Sequence, residues 1–219
     1  LLGDHVSRYF VQDARRAIDY LEERDDVDAD RIGAFGCSGG GTVTSYLAAL
    51  DPRIQASASA CYITSFADLL SGGDPQEAEQ SIPRFIARGL DFADWVEMVA
   101  PKPHAIVSTT EDMFPFEGAR KSYEEAKRVY ALYGAEDRVQ WITGPGGHGA
   151  LGPISGEIVA FFTRWLKDAP TGPAFAPARA PGGDTLRVTS TGQLASSLGS
   201  ETIATLTRAR AGMVLSPPR

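Results

Sequence analysis

The chain has 219 residues, of which 43% are hydrophobic, 22% charged and 9% aromatic, with a net charge of -7 and a pI near 5.0. This composition excludes collagen-like, coiled-coil and wholly disordered chains. The acidic balance, without a Lys/Arg cluster, excludes nucleic acid and anionic membrane surfaces as partners, and no apolar run approaches the roughly 20 residues of a membrane helix.

In chain order, Val11, Ala14, Ile18 and Leu21 fall three and four apart and predict a helix over about 9–24. The polar stretch Asp25–Asp30 ends it. Ile32-Gly33-Ala34-Phe35 reads as a short buried strand, and after glycines from Gly36 to Gly41 a second helix carries Val43, Tyr46, Leu47 and Leu50. Ala56–Cys61 is a strand candidate of small residues, suited to crowded sheet packing. Residues 66–100 hold short helical pieces, Phe66–Leu70 and Phe92–Val99, broken by Gly72-Gly73, Pro75 and Pro83. A strand at His104–Thr109 follows, then a long helix near 119–133, a strand at Val139–Ile142 and a last helix striped by Ile158, Phe161, Phe162 and Trp165. Strand alternating with helix predicts an α/β fold, a parallel, doubly wound sheet with helices on both faces.

From Ala169 the texture changes. Four prolines between Pro170 and Pro181, with Gly172, Gly182 and Gly183, predict a linker over 169–184. Beyond it, Thr185–Thr191 and Ile203–Leu206 read as short strands of a further, incomplete region. Residues 168–219 hold five basic and three acidic side chains, against 16 and 25 in residues 1–167.

The segment that carries chemistry is Gly36-Cys37-Ser38-Gly39-Gly40, a G-x-S-x-G pattern between a predicted strand and a predicted helix. A serine nucleophile must project from a sharp turn that tolerates little side-chain bulk, which glycines two before and two after it permit. The N–H of Gly39, at the helix N-terminus, suits a developing oxyanion. The alternative is a Gly-rich turn that only joins strand to helix. Serine needs a base, and the base needs an acid to orient it. Of His5, His104 and His148, only His148 lies in a glycine-rich loop just after a strand, Gly144-Pro145-Gly146-Gly147-His148-Gly149. His104 reads as a sheet-end residue and His5 as solvated. Asp112 follows the 104–109 strand and is favoured as the acid over its neighbour Glu111, since a carboxylate after one strand reaches an imidazole after the next. The order Ser38, Asp112, His148 is the Ser–acid–His order of α/β-hydrolases.

These residues resemble the α/β-hydrolase superfamily. Gly36–Thr42, Tyr46–Asp51, Asp112–Arg120 and Gly146–Gly149 resemble bacterial acetylxylan-esterase-like and prolyl-oligopeptidase-like hydrolases, over roughly residues 8–167. The resemblance implies that Ser38 is nucleophile, Asp112 acid and His148 base of an acyl-enzyme mechanism. Its front departs from the pattern: one helix precedes the elbow where such hydrolases carry several strands, and the loop that supplies the second oxyanion donor is not identifiable. The expectation is therefore the C-terminal part of a catalytic core over 1–168, incomplete at its N-terminal side, with residues 66–100 as a lid-like insertion. The edge left on the 32–36 strand is then an apolar surface for self-association.

The reading that results is a serine hydrolase cleaving a small-molecule or carbohydrate ester, with an acetyl esterase as the sharpest form. A prolyl-oligopeptidase-like peptidase and a non-catalytic fragment are the alternatives. Phe85, Phe92 and Trp95 are candidates to line an acyl or sugar pocket, against the alternative that they pack the insertion's own core. Cys37, beside Ser38, is a further candidate to line the substrate pocket, and reads as a small buried residue rather than a reactive thiol. No cofactor is expected. Cys37 and Cys61 are too few for a disulfide scaffold, and no spacing suggests a metal-ligand cluster.

Overall fold

The computed structural model describes residues 5–72, 76–169 and 181–215. They fall into two compact units, one of Ser7–Phe175 and one of Leu1–Val6 with Ala176–Arg219.

The larger unit opens with α1 (Ser7–Glu22). It then alternates β1 (Gly33–Cys37), α2 (Gly39–Leu50), β2 (Ala56–Ala60), α3 (Phe66–Gly72), α4 (Phe92–Glu97), β3 (His104–Glu111), α5 (Phe116–Leu132), β4 (Val139–Gly147) and α6 (Ser155–Lys167). The four strands form one parallel sheet in the order β1-β2-β3-β4, with Ala34 opposite Ser57, Ser57 opposite His104 and His104 opposite Val139. Each crossover carries a helix, as parallel pairing requires.

The alternation of side chains along these strands sorts the core into two faces. On one, Ile18 of α1, Ala34 of β1 and Leu47 of α2 pack together, and beside them Ile106 of β3 meets Phe92 and Val96 of α4 and Ala126 and Tyr130 of α5. On the other, Ala58, Ala105, Val107 and Ile142 pack against Ile158 and Phe161 of α6. Helices thus cover both faces. β1 is paired on one side only among the described residues, and Phe35 on that edge strand is 49% exposed, meeting Phe162 edge-to-face at 6.4 Å.

The small residues of β2 have a specific use. Ser59 Oγ lies 2.8 Å from Ser45 Oγ of α2, both buried, and a Cβ on Gly41 would fall 2.4 Å from the Ala60 carbonyl oxygen. Helix and strand therefore approach more closely than larger side chains would permit. The far end of α2 is tied to α1 by ions: Asp51, buried, accepts from Arg53 at 2.7 Å and from Arg15 at 3.1 Å, and Arg53 also reaches Asp19 and Glu22 at 2.6 Å each.

Within 66–100, α4 is built into the main core rather than set over it. Asp91 caps it, with Asp94 returning a bond to the Asp91 N–H, and Phe92 and Val96 sit in the same cluster as Ile106 and Tyr130.

In the smaller unit the structure overturns the predicted strands. It holds α7 (Leu194–Leu198) and α8 (Ile203–Leu215), and residues 185–191 make turns with Val188 almost fully exposed. A single alternating stretch without a partner strand has no ladder to stabilise it. Ile203–Leu206 instead opens a helix, because Thr202 caps it through its hydroxyl to the Thr205 N–H, and Ala204, Arg208, Ala209, Arg210 and Ala211 favour helix. Linker residues 170–180 lie outside the described residues.

Candidate active site

Ser38 stands between β1 and α2 with φ 59° and ψ -126°, a conformation that L-residues adopt at a cost of about 1–3 kcal/mol. Three features hold it there. The Ser38 N–H donates to the Ala60 carbonyl at 2.9 Å, and its carbonyl accepts from the Thr42 N–H at 3.0 Å. The strand end at Gly36 presses so closely on the helix that a Cβ there would meet the Gly40 carbonyl oxygen at 2.3 Å. The second sterically required glycine is Gly41, not Gly40, whose own Cβ would meet nothing within 4 Å. Gly39 opens α2, where no carbonyl four residues back can take its N–H.

Asp112 and His148 are brought together by the ends of β3 and β4. The strands pair in register from His104 with Val139 to Thr109 with Gly144, then shift, so that Glu111 pairs with Gly147. Such an irregularity re-aims the residue that follows it. Asp112 Oδ1 lies 2.8 Å from His148 Nδ1. The carboxylate is further held by the Phe114 N–H at 3.1 Å and the Thr109 hydroxyl at 3.3 Å, while that hydroxyl also meets the Gly147 carbonyl at 3.0 Å. Glu111 is exposed, its backbone occupied in the ladder. The Phe114 ring stacks on the His148 imidazole with centroids 5.9 Å apart. The serine turn and the histidine loop meet through sulfur: a Cβ on Gly149 would lie 3.9 Å from Cys37 Sγ.

Phe92 and Trp95 are placed elsewhere. Phe92 is buried against Tyr62 and Phe66, and reaches His148 only through the ring contacts of Tyr62 with Phe114 and Phe114 with His148. Trp95 stacks on Phe85 at 5.3 Å, meets Tyr46 in a tilted contact at 4.5 Å, and faces a hollow of about 530 Å³ with Arg8, Tyr9 and Leu50. Phe92 is thus a core residue, and Trp95 lines a hollow whose walls include none of Ser38, Asp112 and His148. Cys37 stays beside the site.

His104 is fully buried in β3 with Nδ1 2.8 Å from Ser57 Oγ, and burial pushes its pKa down to about 3, so it is a neutral core group. His5 lies before α1.

Cys61 is the residue that sequence reading missed. It follows β2 with φ 53°, its thiol is buried beside Cys37 and Gly149, and that burial pushes its pKa far above the ordinary thiol value. One Cys61 Sγ, one Asp112 oxygen and one His148 nitrogen lie within 4.8 Å of one another. The absence of ligand spacing in sequence therefore does not hold in space, since three strand ends converge what sequence separates. The available signal was position: Cys61, Asp112 and His148 each follow a parallel strand.

The fold agrees with the comparisons to known proteins. The acetyl xylan esterase family matches residues 5–92. A protein of Bacillus subtilis (strain 168) named as a hydrolase, YtaP, is 31% identical over 169 residues, covering 76% of this chain and 56% of that protein. Among solved structures, a CE15 glucuronoyl esterase from Caldicellulosiruptor kristjansonii superposes with a TM-score of 0.63 at 18% identity, over 77% of this chain and 53% of its own. The glucuronoyl esterase catalytic domain of Hypocrea jecorina gives 0.61 at 16% identity, over 81% and 56%. The methylesterase BT1017 gives 0.55 at 27% identity, over 72% and 35%. The chain thus spans about half of the length of the relatives named, or less. No helix among the described residues is long and apolar enough to cross a membrane.

Proposed function

From an acetyl-xylan-esterase-like chain of the α/β-hydrolase fold, we propose a serine hydrolase that cleaves carboxylic esters of carbohydrates through an acyl-enzyme. The observation that carries this reading is the 2.8 Å contact of Asp112 with His148 in the loop that meets the Ser38 turn. With Nδ1 held by the carboxylate, the proton of Nδ1 is fixed and Nε2 keeps its lone pair, the form a general base needs. Ser38 Oγ attacks the ester carbonyl as Nε2 takes its proton, and the Gly39 N–H bonds the oxyanion. The tetrahedral intermediate collapses, the alcohol leaves with the proton from Nε2, and the acyl group stays on Ser38. Water then attacks with His148 again as base, releasing the acid and the free serine. Asp112 remains ionised throughout and stabilises the imidazolium.

An ester of a sugar, acetyl or uronoyl, is the substrate class supported by the acetyl xylan esterase match and the esterase names above. The peptidase reading gains nothing from these relatives. We also propose the edge of β1, unpaired among the described residues and with Phe35 exposed, as a surface for self-association, read as a light-scattering mass above 23.4 kDa that Phe35→Lys lowers.

Intact-mass labelling by a fluorophosphonate, beside a Ser38→Ala control, tests the catalytic reading. One label per chain, absent from the control, is the expected result. A folded chain that takes no label, or a control that still takes it, overturns it.

A further inference from the structure

We propose that Cys61, Asp112 and His148 form a binding site for zinc, and that zinc at this site switches the catalytic base off. The site itself stands on geometry alone; its inhibitory effect rests on the catalytic reading given above.

The three side chains carry one thiol, one carboxylate and one imidazole, a donor set that zinc accepts in mixed tetrahedral sites. Their ligand atoms lie within 4.8 Å of one another. Around a tetrahedral zinc with bonds of about 2.0–2.3 Å, neighbouring ligand atoms stand about 3.5 Å apart. The cluster therefore has to contract by roughly 1 Å. Asp112 and His148, 2.8 Å apart, have to part slightly to admit the ion, and Cys61 and the histidine loop have to draw in. That loop has the freedom for it: Gly146 and Gly149 flank His148 with φ of 109° and 79°, and the His148 side chain is 32% exposed, which gives the ion a way in.

The charges and protons balance as follows. Asp112 brings its carboxylate. Cys61 loses its thiol proton to solvent and binds as thiolate. His148 binds through Nδ1, so the proton on Nδ1 moves to Nε2. The ion gains three bonds, one proton is released per ion, and a fourth coordination position stays open. The consequence for catalysis is direct. With a hydrogen on Nε2 and the metal on Nδ1, the imidazole has no lone pair left to take the Ser38 proton.

Cobalt(II) titration of the metal-free reduced chain tests the site without reference to catalysis, because thiolate ligation gives sulfur-to-cobalt charge-transfer absorption in the near ultraviolet. The expected result is a band that saturates at one ion per chain, is displaced by zinc, and releases one proton per ion. It should vanish in Cys61→Ala and in His148→Gln and persist in Cys37→Ala. His148→Gln, in an exposed loop, keeps the test decisive if Cys61→Ala does not fold. No saturable band in the wild type, or a band surviving either loss variant, overturns the proposal. The effect on catalysis is read from ester turnover: zinc should inhibit the wild type and spare Cys61→Ala. If metal-free protein takes no fluorophosphonate while the cobalt band forms, the catalytic reading has failed and the site stands.

Discussion

Asp112 and His148 meet at 2.8 Å with opposite exposures: the carboxylate is 2% exposed and the imidazole 32%. The acid is fixed by the Phe114 N–H and the Thr109 hydroxyl, whereas the base hangs from a glycine-rich loop against the Phe114 ring. A rigid buried anion thus orients a group that must face both serine and substrate.

Asp112→Asn should remove this orientation without removing the side chain. The amide N–H₂ would donate to Nδ1 and leave the ring proton on Nε2, the wrong tautomer for a base. A fall in kcat of about 10⁴-fold is expected. Glu111→Gln should leave kcat near wild type, since its side chain is exposed and outside the contact. Steady-state hydrolysis of an aryl acetate measures both, and equal losses would contradict the assignment of Asp112.

The two glycines that set the serine turn can be distinguished from the one that does not. Gly36→Ala and Gly41→Ala each force a Cβ to within 2.4 Å of a backbone oxygen and should destabilise by about 1–3 kcal/mol. Gly40→Ala should be tolerated, with nothing within 4 Å of the new carbon. Urea unfolding midpoints of the three variants would rank them.

Arg53 joins the end of α2 to α1. Arg53→Ala strands the buried Asp51 carboxylate, whose pKa its hydrogen bonds from Arg53 hold down at about 2. The expected loss is about 3 kcal/mol, at the low end for a broken buried pair because Arg15 remains. Chemical denaturation at neutral pH gives the value. The wild-type pair contributes its stability above the ordinary carboxylate pKa and loses it as the pH falls from about 4 toward 2.

His104 predicts a second acid sensitivity at higher pH. Folded, it stays neutral down to about pH 3, while the unfolded chain takes up the proton near pH 6.5. Between these values the unfolded state binds more protons, so stability falls as pH falls through that window. Denaturation midpoints at pH 7.5 and 5 should separate in the wild type and lie closer together in His104→Gln. An unchanged separation would remove His104 from the account.

Much of this was legible in the linear chain. Ala14, Ile18 and Leu21 mark the buried stripe of α1, and the run through His104–Thr109 marks a strand buried on both faces, because the periods of helix and parallel strand are local properties of the backbone. Gly36, Ser38 and Gly39 are readable because a sharp turn needs glycine where it needs it. Three things were decided only by tertiary structure. Phe92 and Trp95 look alike as pocket or core residues, since aromatic surface serves both; the structure buries Phe92 against Tyr62 and Phe66 and sets Trp95 between Phe85 and a hollow that Ser38, Asp112 and His148 do not line. Ile203–Leu206 alternates well enough for a strand, but lacks a partner and continues into good helix formers. Cys61 carries no local signature at all. What brings its sulfur beside Asp112 and His148 is the parallel register of β2, β3 and β4, which gathers at the carboxyl ends of these strands residues far apart in sequence.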